Sequence, residues 1–275
     1  MSFQTRQENE LVYHTSSLLE GGGLIHGFST RLGGVSEGFR ASLNLRFGGE
    51  EPDKREKVLE NYHRLCAALG AEESGLVLSK QVHRDTVRHV TSSDRGKGLT
   101  RPVDYTADAL VTDEPGVSLM VFSADCIILL LWDPVSRSVG AVHAGWRGTA
   151  LDLPAKTAGE MGRLFGARPE NIRAAVGPGI GPCCFETHDD VPDAMRDAFG
   201  VGAEAYIAPR GEKWTVDLKA VNAWRLRECG VRGEHIDICG TCTACCPELY
   251  WSHRKTGDRR GVQGALIGLP REDRA

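Results

Sequence analysis

Apolar positions change their spacing from segment to segment along this 275-residue chain, and each change predicts an element. After Pro52, residues Val58, Leu59, Tyr62, Leu65, Cys66 and Leu69 recur at the interval of one helical face. That pattern predicts a helix opening at Pro52 and stopping at Gly70. A second helix is expected over 154–165, with Gly166 as its stop. A third is expected after an Asp217 cap, carrying Leu218, Val221 and Trp224 and halted by Gly230. Short apolar runs at 76–78, 108–112, 117–122, 172–176 and 266–269 predict strands. The run 127–132 is apolar at every position, the pattern of a strand buried on both faces. Asp133-Pro134-Val135-Ser136-Arg137 then reads as a turn, and 138–143 as the returning strand. Gly21 to Gly23 form a local break, and the stretch GGVSEGFRASLNL reads as a loop. Strands and helices mix without strict βαβ alternation, and no repeat or linker interrupts them. The fold class read from this is α+β, one domain over 1–275 with mixed β-sheets packed against helices.

Composition narrows the function classes. Hydrophobic residues at 41% and charged residues at 25% are ordinary globular values, so a buried core is expected. Lys plus Arg number 33 against 37 Asp plus Glu, a net charge of -4 without a basic stripe, which argues against a nucleic-acid partner. The run 127–132 is far too short for a bilayer, which takes about 20 apolar residues. The segment MSFQTRQENELVY lacks the apolar run of a signal peptide, so a cytoplasmic protein is expected. In that setting nine cysteines read as small buried hydrophobes, metal ligands or nucleophiles, not as a disulfide framework.

The segment SADCIILLLWDPVSRSVGAVHAGWRG carries the most chemistry. If the turn closes Trp132 onto Ser138, Ile127 faces His143, and a slip of one residue puts Cys126 opposite His143 instead. Directly opposed residues have Cβ atoms roughly 5 Å apart, a spacing that suits two ligands of one ion. Thiolate and imidazole are ligands zinc prefers, and three protein ligands leave one position open. His83, beside Lys80 and Gln81 after a predicted strand, is the best third candidate. Two other readings of these residues stand at this point. His143 is a hydrogen-bonded strand-end histidine and Cys126 a core thiol, or Cys126 and a histidine form a metal-free cysteine hydrolase dyad.

Other cysteines and glycines suggest different chemistry. CGTCTACCP holds Cys239, Cys242, Cys245 and Cys246, but its last two cysteines are adjacent where a ferredoxin run needs three residues between them. A zinc ribbon needs a second CxxC pair elsewhere. Cys183 and Cys184 are the cysteines able to join such a site in space, and buried or redox-sensitive thiols are the reading preferred here. GPGIG has the wrong glycine spacing for a dinucleotide loop, and Pro178 and Pro182 remove donors, so it reads as a rigid turn near a pocket.

The motifs taken together resemble one family. They are HGFSTRLGGVSEG with SLNL, KQVH at 80–83, TADALVTDEPGVSL at 106–119, SADC at 123–126 and AVHAGWRG at 141–148. VGPGIGPCCFE at 176–186, CT at 242–243 and PELYWSHR at 247–254 complete the set. This order resembles the bacterial YfiH family, relatives of the mammalian FAMIN or laccase domain-containing protein, once called multicopper polyphenol oxidases. The resemblance implies a metal centre on His83, Cys126 and His143. It also implies a zinc-dependent purine nucleoside enzyme, acting by phosphorolysis of adenosine, inosine or methylthioadenosine and by deamination of adenosine. Copper is the lesser expectation: a laccase needs several copper ions, whereas the chain has nine histidines and no His-X-His pair.

Roles follow from that expectation. Phosphorolysis needs cations to orient phosphate, with Arg147 as first candidate and Lys80 as second. Asn44, with Ser42 beside it, is a candidate for ribose or base. Asp125 is a candidate base or orienter of a ligand, and Cys126 a catalytic thiolate. Two positions depart from the family pattern: Ile128 stands where Pro is usual, and Val262 follows Gly261 where Arg is usual. Arg259 or Arg260 is the neighbour able to supply that guanidinium. The expected partners are a purine nucleoside and phosphate, with no nucleic acid, membrane or obligate protein partner. A metal-stabilised binding module without turnover is the non-enzymatic alternative.

Overall fold

Ile127, Leu129 and Leu131 belong to one buried apolar cluster, while Ile128, Leu130 and Trp132 belong to another on the opposite side of the same strand. That strand lies inside a stack of layers, which explains its unbroken apolar run. The computed structural model of the chain describes residues 3–271. In chain order the strands are β1 (Phe3–Glu8), β2 (Leu11–Ser16), β3 (Ile25–Ser29), β4 (Leu76–Leu78), β5 (Val87–His89), β6 (Ala109–Thr112), β7 (Ser118–Ser123), β8 (Ile127–Asp133), β9 (Ser138–Ala144), β10 (Arg173–Val176), β11 (Glu186–Thr187), β12 (Ile207–Arg210), β13 (Lys213–Val216), β14 (Ile236–Ile238) and β15 (Gln263–Gly268). The helices are α1 (Arg55–Leu69), α2 (Trp146–Ala150), α3 (Leu153–Phe165), α4 (Asp190–Phe199), α5 (Leu218–Glu228) and α6 (His253–Thr256).

One six-stranded sheet runs β1-β2-β3-β15-β7-β4, and a second runs β14-β10-β8-β9-β6-β5. The two sheets face each other across a core in which Phe28, Leu119, Val121 and Ile267 of the first meet Ile128, Leu130, Ala141 and Ala175 of the second. On the outer side of the first sheet, Val58, Tyr62 and Leu65 of α1 cover Leu76, Met120 and Leu266. On the outer side of the second, Leu153 and Met161 of α3 and Val221 and Leu226 of α5 cover Leu129 and Leu131. Truncating one such fully buried leucine to alanine costs about 2–5 kcal/mol. Parallel pairs (β4 with β7, β5 with β6, β10 with β14) sit beside antiparallel ones, so the fold is α+β with mixed sheets.

Helix stops fall where expected: Gly70 and Gly166 adopt left-handed φ values of 72° and 71° at the ends of α1 and α3. Asp217 caps α5 by accepting from the Ala220 N–H at 3.0 Å. The start of α1 differs from the reading at Pro52. Asp53 is held by Asn44 at 3.0 Å, and Lys54 remains extended, so the helix begins at Arg55. The β8–β9 register also differs. Asp133 pairs with Ser138, which puts Ile128, not Ile127 or Cys126, opposite His143. Asp133 stays in the ladder because its carboxylate accepts from the Val135 and Ser136 N–H groups at 2.8 and 3.3 Å, satisfying the turn. His143 therefore shares the inter-sheet face with Ile128, and Cys126 lies beyond the ladder.

Candidate metal centre

The chain passes from one sheet to the other between Ser123 of β7 and Ile127 of β8, and that crossing builds the site. Asp125 at the bend has a φ of 86°, a left-handed backbone that aspartate tolerates better than most residues. Its carboxylate accepts from Thr243 Oγ1 at 2.6 Å, Ser252 Oγ at 3.0 Å and the Arg254 N–H at 2.7 Å. Its carbonyl accepts from the Ile180 N–H at 2.8 Å. Asp125 thus ties three loops to the bend that presents Cys126.

His83 lies in the loop after β4 with a φ of 58°. Asp108, fully buried just before β6, holds that loop in place. Its Oδ2 accepts from the N–H groups of Val82 and Arg84 at 3.1 and 3.0 Å, and its Oδ1 accepts from the His83 N–H at 2.9 Å. The same Oδ1 takes the Nδ1 of His143 at 2.9 Å. Burial alone would raise the Asp108 carboxyl, but His143 and these N–H groups hold it below the ordinary carboxylate range. With Nδ1 donating to a carboxylate, His143 offers Nε2 as its ligand atom.

His83, Cys126 and His143 place their ligand atoms within 4.8 Å of one another. Cys126 Sγ is 3.8 Å from His83 Nε2, and the two imidazoles meet edge to face at 82°. A tetrahedral zinc spaces nitrogen and sulfur ligands roughly 3.3–3.8 Å apart, so small rotations close the triad on one ion. Burial would raise the Cys126 thiol, yet His143 and His83 outweigh it and bring it down to about 6. Burial would lower His143, yet the Cys126 sulfur and Asp108 outweigh it and push it up to about 9. Gly145 completes the cradle: a Cβ there would stand 2.8 Å from Cys126 Sγ and 3.2 Å from His83 Cδ2. Sulfur, two imidazoles, a carboxylate behind one of them and a glycine in front fit a zinc-type ion.

Two cavities meet at this centre. The first, of about 420 Å³, is lined by apolar Leu45, Phe47, Tyr62 and Phe122, by Arg46, Lys80 and Arg260, and by all of the triad. The second, of about 320 Å³, shares His83, Cys126 and Arg260 and adds Trp146, Phe185 and Arg254.

The remaining candidates fall in different places. Lys80 lines the first cavity. Arg147 is exposed, stacks 4.1 Å over the Trp146 ring and lines neither cavity, because α2 turns its side chain outward. Asn44 is buried behind the wall, its amide shared between Arg46 O, Asp53, the Arg46 N–H and the Val262 N–H. Ser42 donates to Arg31 O and accepts from the Gly34 N–H, each at 3.1 Å. Both therefore shape the loop that presents Arg46 and do not face the cavity. Asp125 turns its carboxylate toward the Thr243 and Ser252 loops, and Asp108 takes the orienting position. Of the two neighbours of the missing family arginine, Arg260 lines both cavities, while Arg259 lies outside against Phe39 and Glu51. Sequence reasoning missed Asp108, Arg46, Gly145 and Ser79, a residue of the first cavity's wall whose buried Oγ has no hydrogen-bond partner among the described residues.

Known proteins share this architecture. A family model described as multi-copper polyphenol oxidoreductase laccase matches residues 25–270. The chain is 38% identical over 248 residues to a Deinococcus radiodurans protein named purine nucleoside phosphorylase, covering 90% of each. It is 36% identical over 262 residues to the Geobacillus stearothermophilus protein named purine nucleoside phosphorylase YlmD, covering 91% of this chain and 92% of that one. The crystal structure of the Bacillus licheniformis hypothetical protein YfiH matches with a TM-score of 0.89 at 32% identity, over 96% of this chain and 98% of that chain. By sequence, fold and the order of its motifs, the chain belongs to the YfiH family, the family described as multi-copper polyphenol oxidoreductase laccase.

Proposed function

We propose that this chain is a zinc-dependent purine nucleoside enzyme that cleaves adenosine, inosine or methylthioadenosine with phosphate and deaminates adenosine at the same centre. The observation that carries the reading is a triad opening onto a cavity with an apolar, aromatic lobe and a cationic edge. Leu45, Phe47, Tyr62 and Phe122 supply flat apolar surface for a purine. Arg46, Lys80 and Arg260 have no carboxylate within ion-pair distance among the described residues, so their charge is free to bind an oxyanion. Ser79, in the wall of this cavity, has an Oγ without a hydrogen-bond partner among the described residues. The names of the relatives supply the reaction class.

His83, Cys126 and His143 would hold the zinc, which when bound acts as a Lewis acid and makes water easier to deprotonate. In phosphorolysis a phosphate oxygen bonds to C1′ of the ribose, and the C1′–N9 bond breaks with its electron pair leaving on the purine. Arg46, Lys80 and Arg260 hold the phosphate, and the apolar lobe orients the base and excludes water. A neighbouring reading, a cysteine hydrolase, draws on the Asp108–His143–Cys126 alignment. His83 favours the metal, because a thiol nucleophile needs no second imidazole 3.8 Å from its sulfur.

The test is incubation with adenosine and phosphate, read by chromatography beside metal analysis. The wild type should release adenine and inosine with about one triad zinc bound, and Cys126→Ala should lose both that zinc and turnover. If Cys126→Ala keeps the zinc and loses turnover, the thiol nucleophile is the better account. If the zinc-loaded wild type gives neither product across pH, the nucleoside reading is wrong.

A further inference from the structure

Cys183 and Cys184 follow β10, Cys242 and Cys245 follow β14, and their four sulfurs lie within 4.8 Å of one another. Cys245 Sγ is 3.5 Å from Cys183 Sγ and 3.4 Å from Cys184 Sγ. We propose that these four thiols hold a second, structural zinc ion that fastens the loop after β10 to the loop after β14.

Distance comes first. A disulfide needs sulfurs about 2.05 Å apart, whereas a tetrahedral zinc with bonds of about 2.3 Å sets its sulfurs roughly 3.8 Å apart. The observed separations lie close to the second value. Adjacent cysteines rarely aim at one point, but here the chain folds back, with the N–H groups of Cys184 and Phe185 donating to Gly181 O at 3.0 and 2.9 Å. Both sulfurs then reach Cys245. Cys246, next to Cys245, is outside the group.

Backbone and charge agree with that arrangement. The Gly181 N–H donates to Cys242 Sγ at 3.1 Å, and the Cys245 N–H donates to the Cys242 carbonyl at 3.2 Å, closing the turn that brings the two cysteines together. A Cβ on Gly181 would fall 3.3 Å from Cys183 Sγ and 3.6 Å from Cys242 Sγ, so glycine leaves the sulfurs room. Zinc with four thiolates carries a net charge of about -2, which needs nearby cations. Lys219 is buried at 5% exposure, with its ammonium donating to the carbonyls of Cys239 and Thr241 at 2.8 and 2.9 Å. Arg210 donates to Cys183 O at 2.8 Å, and Arg254 to Cys184 O at 3.0 Å. Glu186, the acidic group beside them, is engaged by Lys213 at 2.7 Å.

Apolar support here is small: buried Ile180, Cys242 and Ala244, with Cys184 and Phe185 against them. A metal supplies the cross-link that so small a core does not. The loops it joins matter to the rest of the molecule. Ile180 and Phe185 line the second cavity, and Thr243 anchors the carboxylate of Asp125.

The test uses the full chain loaded with cobalt(II) under reducing conditions, with Cys126→Ala present to silence the triad. That variant should bind about one equivalent and show the sulfur-to-cobalt charge-transfer band and intense visible bands of a tetrahedral thiolate site. Adding Cys183→Ser and Cys245→Ser should abolish both. A second measurement stands on the wild type alone: alkylation mapped by peptide mass spectrometry should show these four cysteines protected by zinc and exposed by a chelator. Absence of the charge-transfer band in Cys126→Ala, or equal alkylation with and without zinc, overturns the proposal. So does recovery of a Cys183–Cys245 or Cys184–Cys245 disulfide in place of bound metal.

Discussion

Asp108 Oδ1 accepts both the Nδ1 of His143 and the backbone N–H of His83 at 2.9 Å, so one carboxylate oxygen positions two of the three proposed ligands. Asp108→Asn turns an acceptor into a donor facing either the His143 ring or the Val82 and Arg84 N–H groups. We expect metal affinity to fall about 10–100-fold and stability by about 1–3 kcal/mol. Competition against a chelator of known affinity measures the first; an unchanged affinity would remove Asp108 from the account.

Gly145 has a φ of −63°, open to any residue, so Gly145→Ala brings no backbone strain and acts through its Cβ alone. That Cβ would press on Cys126 Sγ and His83. The variant should fold with a near-normal melting temperature and bind the triad metal at least about tenfold more weakly. Full metal content with unaltered affinity would show that the crowding is relieved elsewhere.

Arg260 lines both cavities and Arg147 lines neither. Removing a charge-assisted contact costs about 1.5–3 kcal/mol, so Arg260→Ala should raise KM for phosphate roughly 10–100-fold. Arg147→Ala should change it less than about twofold. Steady-state kinetics with varied phosphate decides, and the reverse ranking would restore the sequence-based choice of Arg147.

In metal-free protein the Cys126 thiol is depressed to about 6. A depressed value means the thiolate is present above that pH and is lost as pH falls through it. Alkylation of Cys126 should therefore rise with a midpoint near pH 6 and shift upward, toward the free-thiol value of about 8.5, in His143→Ala. A wild-type midpoint above pH 8 would show that the sulfur and His143 do not pair.

Much of this was legible along the chain where one residue type served one purpose. The apolar run of β8 announced a strand between two layers, and Gly70, Gly166 and Asp217 marked helix ends. The triad candidates stood at motif positions. The N-terminal strand β1 was not legible because its residues after Phe3 are exposed and show no alternation. Arg147 and Asn44 carried suitable chemistry, but which way a side chain points depends on packing: α2 turns one outward, and the Asp53 loop absorbs the other. Asp108 sat in TADAL without spacing to betray it, since its partners come from 24 to 35 residues away. The thiol cluster was half legible: Cys183 and Cys184 stood out as able to join Cys242 and Cys245, but with 61 and 62 residues between the halves no spacing shows that they meet, and buried or redox-sensitive thiols were the preferred reading.

The most direct test is diffraction from zinc-loaded crystals at wavelengths on either side of the zinc absorption edge. The account predicts an anomalous peak bonded to Cys126 Sγ at about 2.3 Å and to His83 and His143 nitrogens at about 2.0–2.1 Å. No zinc peak between these three side chains, or one that leaves either imidazole unbonded, would contradict it.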